Sequence, residues 1–384
     1  MKNNKIYHVA YPYFSDKDIS WVIEQVPNIL NGRLSTGPYT EEFEKKFANF
    51  IGTKYAVFLN SCTSALEISA SFLKLAKSDE VIVPAETFIA SGMAVTNNNG
   101  KVVFAEIEED TFCLGFDEIK KLTTQNTKAI ILVHFGGYIS KDTIKIRDYC
   151  KKNNIFLIED CAHSIGSSIN KIKAGNIGNV GCFSFFSTKT ITTGEGGMLT
   201  TNDRELYDYA LSMRERGRDW SHPTEIYKYQ GRTYRVPEFS AVLGLSQFSN
   251  INNIVDHRKK ICKIYDNRLK KSNLFKTLPN YNNIDKSIWK HITLITNDNL
   301  KRDKLSKILK ENYNIFINWA YDPPIHLQPV YKNLMNTKEG MLPKTERLMT
   351  QHFHLPLHML ISEDDASYII NSLIEASNKI LYLK

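Results

Sequence analysis

One lysine in this sequence has surroundings that suit covalent chemistry. Residues 181–198 read Gly-Cys-Phe-Ser-Phe-Phe-Ser-Thr-Lys-Thr-Ile-Thr-Thr-Gly-Glu-Gly-Gly-Met, so Lys189 follows an aromatic strand and is framed by hydroxyls and then glycines. An amine that is to form a Schiff base must first lose its proton, and partial burial near other positive groups favours that loss. Ser184, just upstream, can donate to a phosphate, and Gly194, Gly196 and Gly197 allow tight turns beside a bulky ligand. Read alone, the segment also suits a surface lysine in a threonine-rich loop.

Two other segments carry candidate groups. Residues 153–163, Asn-Asn-Ile-Phe-Leu-Ile-Glu-Asp-Cys-Ala-His, form an apolar run that ends in two carboxylates and then a histidine. Asp160 at such a strand end suits a pyridinium nitrogen, whose protonated form it would favour, and His163 can hydrogen-bond a phenolic oxygen on the same ring. An aspartate there serves equally for helix capping or metal binding. Residues 56–66, Ala-Val-Phe-Leu-Asn-Ser-Cys-Thr-Ser-Ala-Leu, pass from strand to helix and set Ser61, Thr63 and Ser64 at the helix start. Free N–H groups and the positive dipole end make a phosphate cradle there, and a plain N-cap accounts for the same residues.

These groups need elements to hold them. Short apolar strands at 55–59, 80–83, 102–105, 129–133, 155–158 and 181–186 alternate with helical patterns, which predicts an α/β core with a mostly parallel sheet flanked by helices. In such sheets ligands sit beyond the carboxyl ends of the strands, where the unusual polar residues fall. After a helix predicted at 240–271 the alternation is lost. The expected organisation is a large domain over 1–250, with an N-terminal arm, and a smaller C-terminal α+β domain over 251–384.

Composition narrows the function classes. The 384 residues are 42% hydrophobic and 23% charged, enough for a large core. The net charge of +8 fits surface lysines, and the densest basic run, 257–271, places Ile261, Ile264, Tyr265 and Leu269 at helical spacing, so no nucleic-acid site is expected. No leader-like start and no apolar run of spanning length is present, which points to a cytoplasmic protein without a membrane span. Six cysteines without a CxxC pair argue for reduced thiols rather than disulfides or structural zinc. His352, His354 and His358 are separated by a strand-like Leu-Pro-Leu at 355–357 and are not expected to bind metal; Cys161 is expected to be packing.

The three segments together resemble the DegT/DnrJ/EryC1/StrS family of sugar aminotransferases, dependent on pyridoxal 5′-phosphate (PLP) and built on the aspartate-aminotransferase fold (PLP fold type I). The likeness extends through 81–88 (Val-Ile-Val-Pro-Ala-Glu-Thr-Phe), 133–137 (Val-His-Phe-Gly-Gly), 234–247, 324–329 and 355–357, nearly the whole chain. It implies that Lys189 is the Schiff-base lysine, that Asp160 partners the pyridine nitrogen, that His163 stands where the family has Gln or His, and that Phe88 stacks on the ring. Ser184, Thr63 and Ser64 match phosphate ligands. It further implies a homodimer in which the segment before the helix at 238 reaches the partner's phosphate. Residues 231–235 read Gly-Arg-Thr-Tyr-Arg where family members show Gly-Tyr-Asn-Tyr-Arg, so Thr233 and Arg235 are the candidate contacts and Arg232 replaces a tyrosine.

The implied reaction moves an amino group from glutamate or glutamine to a keto-sugar, most often nucleotide-linked and destined for surface polysaccharide or glycan. A small phosphorylated ketone or a cyclitol ketone is the alternative acceptor. A PLP-dependent sugar dehydratase would carry histidine in place of Lys189, and a non-catalytic PLP-binding regulator would need a DNA-binding module for which no segment is available.

Overall fold

In the computed structural model, which describes residues 5–382, nine strands precede residue 202: β1 (Tyr55–Leu59), β2 (Glu80–Pro84), β3 (Lys101–Ala105), β4 (Thr127–Val133), β5 (Phe156–Asp160), β6 (Ser168–Ile169), β7 (Ile172–Lys173), β8 (Val180–Ser184) and β9 (Gly197–Thr201). Seven of them make the central sheet in the order β1-β9-β8-β5-β4-β2-β3. Neighbours run parallel from β8 to β3, while β9 is antiparallel to both β1 and β8. Ile82, Val83, Ile130, Ile131, Leu157 and Ile158 are fully or almost fully buried. Such continuous apolar runs are what a parallel sheet covered on both faces requires. The strand ends that matter, Leu59, Pro84, Asp160 and Ser184, therefore lie along one edge of the sheet.

The expected strands are all present, with ends shifted by a residue or two. The expectation did not include β9, because the glycines at 194, 196 and 197 read as a turn where a strand buried at every position begins. The helix expected over 240–271 is instead two, Glu238–Ser249 and Ile251–Leu269. Asn250 breaks it: its side-chain amide donates to Asp18 Oδ1 at 3.0 Å, tying the junction to helix α1 (Asp16–Leu30).

Beyond residue 270 a separate antiparallel sheet, β10 (Phe275–Thr277), β12 (His291–Ile295) and β13 (His352–Leu355), packs with helices Ile251–Leu269, Arg302–Tyr313 and Glu363–Tyr382. Strand β11 (Ile284–Asp285) pairs instead with β6 of the first part, a backbone link between the two. All six cysteines are buried and unbridged. No described helix is long and apolar enough to cross a membrane.

A buried carboxylate joins the first helices to the segment that leads into Glu238–Ser249. Helix α2 (Pro38–Ile51) begins at Gly37, which has no side chain to cap it. Glu238, itself inaccessible, supplies the cap from two hundred residues away: its carboxylate accepts from the N–H groups of Gly37 (2.8 Å), Tyr39 (2.8 Å) and Thr40 (3.1 Å), and from the Thr40 hydroxyl. The negative charge also meets the positive end of the helix dipole. Replacing Glu238 by alanine strands four donors, three of them buried, so Glu238→Ala is expected to lower the free energy of unfolding by about 3 kcal/mol. Urea denaturation followed by circular dichroism measures this, and a loss under about 0.5 kcal/mol contradicts the capping role.

Candidate active site

The loops that leave β1, β2, β5 and β8 converge with the segments around Trp289 and Tyr321 on a cavity of about 490 Å³. That volume suits a small-molecule ligand. Alternation along β5 separates its two terminal carboxylates. Glu159 points away and is saturated, accepting from the N–H groups of Gly175 (3.0 Å), Ile177 (2.7 Å) and Gly178 (2.7 Å) and meeting His134 Nε2 at 2.9 Å. Asp160 turns into the cavity.

Asp160 is buried without a cationic partner in bonding range. Its carboxylate accepts from the Ser91 hydroxyl at 2.8 Å and the Ala162 N–H at 3.1 Å. Helix α3 (Cys62–Phe72) and helix α4 (Ile89–Thr96) flank it, and α4 supplies Ser91, which is held in turn by the Thr87 hydroxyl at 2.7 Å. Burial pushes the Asp160 carboxyl above its ordinary range, although these bonds and the nearby Lys189 and His134 act in the opposite direction. Such a group gains most from a positive charge placed against it.

Lys189 reaches into the same cavity. Its side chain is half-buried and lines the cavity. Burial lowers its amine to about 7, Cys62 and Asp160 raise it, and Lys290 lowers it further. Near neutrality a large share of the amine is therefore uncharged. The Lys189 ammonium nitrogen lies 4.0 Å from the Trp289 ring, and the Trp289 indole N–H donates to the carbonyl of Thr188 at 2.6 Å, which anchors the lysine's own loop.

His163 stacks on that same indole, with ring centroids 3.9 Å apart and planes 22° apart. Its Nδ1 accepts from the Gly136 N–H at 3.2 Å, so in the neutral ring the hydrogen sits on Nε2, 3.3 Å from the Tyr321 hydroxyl. Burial first, then Lys189 and Lys290, holds the imidazole well below its usual range and hence neutral. Tyr321 occupies the left-handed region with φ 61°, a backbone conformation that costs an aromatic residue energy and turns its ring toward Phe88 at 5.8 Å. Phe88, 51% exposed, presents its ring to the cavity.

At the start of α3 the hydroxyls divide. Ser61 and Thr63 line the cavity, as does Ser184 at the end of β8. Ser64 does not: its hydroxyl donates to Asn60 Oδ1 at 2.6 Å and lies 3.0 Å from Ser61 Oγ, and its N–H bonds Ser61 Oγ at 3.1 Å. The expected pair Thr63 and Ser64 is thus Ser61 and Thr63 on the cavity side, because Ser61 is the N-cap and Ser64 its partner one turn on. The helix start comes this close because residue 197 is glycine; a Cβ there would lie 2.2 Å from the Ser61 carbonyl carbon.

Thr233 and Arg235 are not brought to this cavity. Thr233 is exposed and bridges Glu215, and Arg235 pairs with the Glu215 carboxylate at 2.6 Å. Cys161 is buried, with its thiol pushed up by burial, so it stays protonated. His352 and His354 neighbour each other in β13 while His358 bonds the His8 carbonyl, so the three do not converge. His134, Glu159 and Cys161 do lie within reach of a common point, but the oxygens of Glu159 are already occupied by four donors. Ser91, Trp289 and Tyr321 were not legible as site residues. Trp289 and Tyr321 lie in the later part of the chain, where no motif marks them, and Ser91 acts through Asp160.

The donor set fits PLP. Asp160 is a buried acid lacking a counter-charge, as a ring nitrogen would supply; Lys189 is an amine largely free of its proton; and hydroxyls at a helix start offer donors to a phosphate.

Comparison with known proteins agrees. Residues 17–374 match the DegT/DnrJ/EryC1/StrS aminotransferase family. The spore coat polysaccharide biosynthesis protein SpsC of Bacillus subtilis is 30% identical over 384 residues, covering 97% of each chain. A GDP-perosamine synthase of Vibrio cholerae is 31% identical over 343 residues, covering 88% of this chain and 90% of that protein. The structure of the putative sugar aminotransferase Spr1654 from Streptococcus pneumoniae, in its PMP form, superposes with a TM-score of 0.91 at 28% identity over 99% of both chains.

Proposed function

The chain belongs to the DegT/DnrJ/EryC1/StrS aminotransferase family, with PLP as cofactor and the type I fold, and from that premise we propose that it aminates the ketone of a nucleotide-linked deoxysugar for polysaccharide or glycan assembly, taking the amino group from glutamate or glutamine. The observation that carries the reading is the pairing, across one cavity, of a buried carboxylate without a cationic partner, Asp160, and an amine held near neutrality, Lys189. The names of the relatives, a GDP-perosamine synthase among them, support a nucleotide-sugar acceptor.

In this reading PLP, when bound, supplies a ring that accepts electrons from the donor's α-carbon. Lys189 would hold the cofactor and, once displaced by the donor, its amine would act as base at the donor's α-carbon and as acid at the cofactor carbon, with the two roles reversed when the acceptor is aminated. Asp160 keeps a positive charge on the ring nitrogen, with Ser91 and the Ala162 N–H fixing its orientation. His163 offers its Nε2–H, steadied by Gly136 and by Tyr321. Phe88 covers the ring. Ser61, Thr63, Ser184 and the start of α3 receive the phosphate, with Ser64 fixing Ser61.

The phosphate end of the cavity also supports a homodimer. Lys189 is the one cation lining the cavity among the described residues, and a phosphate dianion held by hydroxyls alone would want another. Segment 231–235, in which Arg232 and Thr233 are exposed and Arg235 is half-buried, carries these three residues away from its own cavity. In the proposed assembly it reaches the cavity of a second copy, so that each site is composite.

Incubation with PLP, glutamate or glutamine and a panel of nucleotide-linked keto-deoxysugars is expected to yield an amino-sugar nucleotide detectable by mass spectrometry; amination confined to phosphorylated ketones or cyclitol ketones contradicts the proposed acceptor. The composite site has its own test. Lys189→Ala and Thr233→Glu are each expected to be inactive, and remixing them after dissociation is expected to restore about one quarter of wild-type turnover, since half the dimers then hold one intact site. No recovery on mixing contradicts the composite arrangement.

A further inference from the structure

Behind the site lies a second buried lysine that the reaction described above does not use. Lys290 is 8% exposed and follows Trp289 in the chain. The two residues are fixed by one acceptor, the Gly136 carbonyl, which receives the N–H of Trp289 at 2.8 Å and that of Lys290 at 3.3 Å. The Lys290 ammonium nitrogen lies 4.4 Å from the Trp289 ring, the same indole that Lys189 approaches to 4.0 Å. Two ammonium groups thus share one aromatic side chain, which also grips the loop of the first through Thr188.

We propose that Lys290 is a positioning charge for the reaction: held against the far side of the site by Trp289 and Gly136, its ammonium repels a proton from Lys189 and so keeps the Lys189 amine available as nucleophile and proton carrier. This rests on the reading of Lys189 as the cofactor-binding lysine.

Three features support it. Burial alone lowers Lys290, to about 8, with no neighbouring carboxylate offsetting it, so at neutral pH it remains mostly a cation. The titratable groups it acts on are all bases: His163, His352, His354 and Lys189 are each pushed toward their neutral forms by it. The imidazoles are already neutral through burial, which leaves Lys189 as the group whose protonation near neutrality the charge can still change. Lys189 itself is faced by Cys62 and Asp160, which favour its protonated form, and by Lys290, which opposes them. An adjacent cation is a known means of activating a buried amine. Both ammonium groups lie within 4.4 Å of the indole, hence within about 10 Å of each other, and at that range a unit charge moves a neighbour's titration by about one pH unit.

The test uses the cofactor-free full-length protein, so that it reads the lysine and not turnover. Competitive acetylation across pH 5 to 11, with mass-spectrometric quantitation of the Lys189 peptide, gives the midpoint at which the amine becomes reactive. Since the amine reacts only when deprotonated, reactivity rises with pH, and the wild-type midpoint is expected at about 7. Lys290→Met and Lys290→Gln, two uncharged replacements of similar length, are expected to raise that midpoint by about one pH unit, while Lys290→Arg, which keeps the charge, leaves it within about 0.3. Midpoints unchanged in both uncharged variants overturn the proposal. So does an equal shift in all three, which would trace to packing. The underlying reading fails separately and visibly: borohydride reduction of the PLP-loaded wild type, followed by peptide mapping, would then find the cofactor on a lysine other than Lys189.

Discussion

Taking a carboxylate out of water without giving it a cation is costly, and the site is organised around that cost. Asp160 ends β5 in the middle of the central sheet, where burial pushes its carboxyl up and a serine hydroxyl, one amide and the more distant Lys189 and His134 compensate only in part. Its neighbour Glu159 shows the alternative: a carboxylate equally buried but fully satisfied by backbone donors and a histidine, and therefore structural. One residue of strand alternation separates a fold-stabilising acid from one left wanting a partner. In the proposed reading the partner is the ring nitrogen of PLP, so binding the cofactor and relieving Asp160 are the same event.

The opposite problem is solved beside it. Lys189 is an amine that must lose its charge, and burial lowers it to about 7. The lysine sits on a turn, yet its position is set from the later part of the chain, by the Trp289 indole bonded to Thr188. The second sheet thus contributes to the site by position. The strand β11, paired with β6, and the double grip of Gly136 on residues 289 and 290 are the links that hold it in place.

Much of this was legible in the sequence, for reasons that differ from residue to residue. The strands of the parallel sheet carry unbroken runs of Ile, Val and Leu, which mark their positions well. Lys189, Asp160, His163 and Thr63 are short-range features at strand ends, where polar residues follow apolar ones abruptly. Ser64 matched the same pattern, but which of two hydroxyls at a helix start caps the helix depends on φ and ψ at Ser61, which composition does not reveal. Strand β9 was hidden because Gly197, at its start, answers to close packing against the start of α3, not to strand propensity. Trp289, Lys290 and Tyr321 were beyond reach. Trp289 and Tyr321 come to the cavity, and Lys290 to a place behind it, through tertiary contacts across more than a hundred residues, and nothing local distinguishes them from other aromatic or basic residues.

The account stands on Asp160 as counter-charge, separate from Lys189 as covalent anchor, and Asp160→Asn separates them. Asparagine keeps the shape and the bond to Ser91 but removes the negative charge. Side-by-side measurement of cofactor retained, by its visible absorbance after desalting, and of the single-turnover rate with glutamate gives the answer. The expected result is near-normal cofactor content with a rate lower by on the order of a hundredfold, ~2.7 kcal/mol of lost transition-state stabilisation. A rate within about twofold of wild type, or a parallel loss of cofactor and rate, would contradict it.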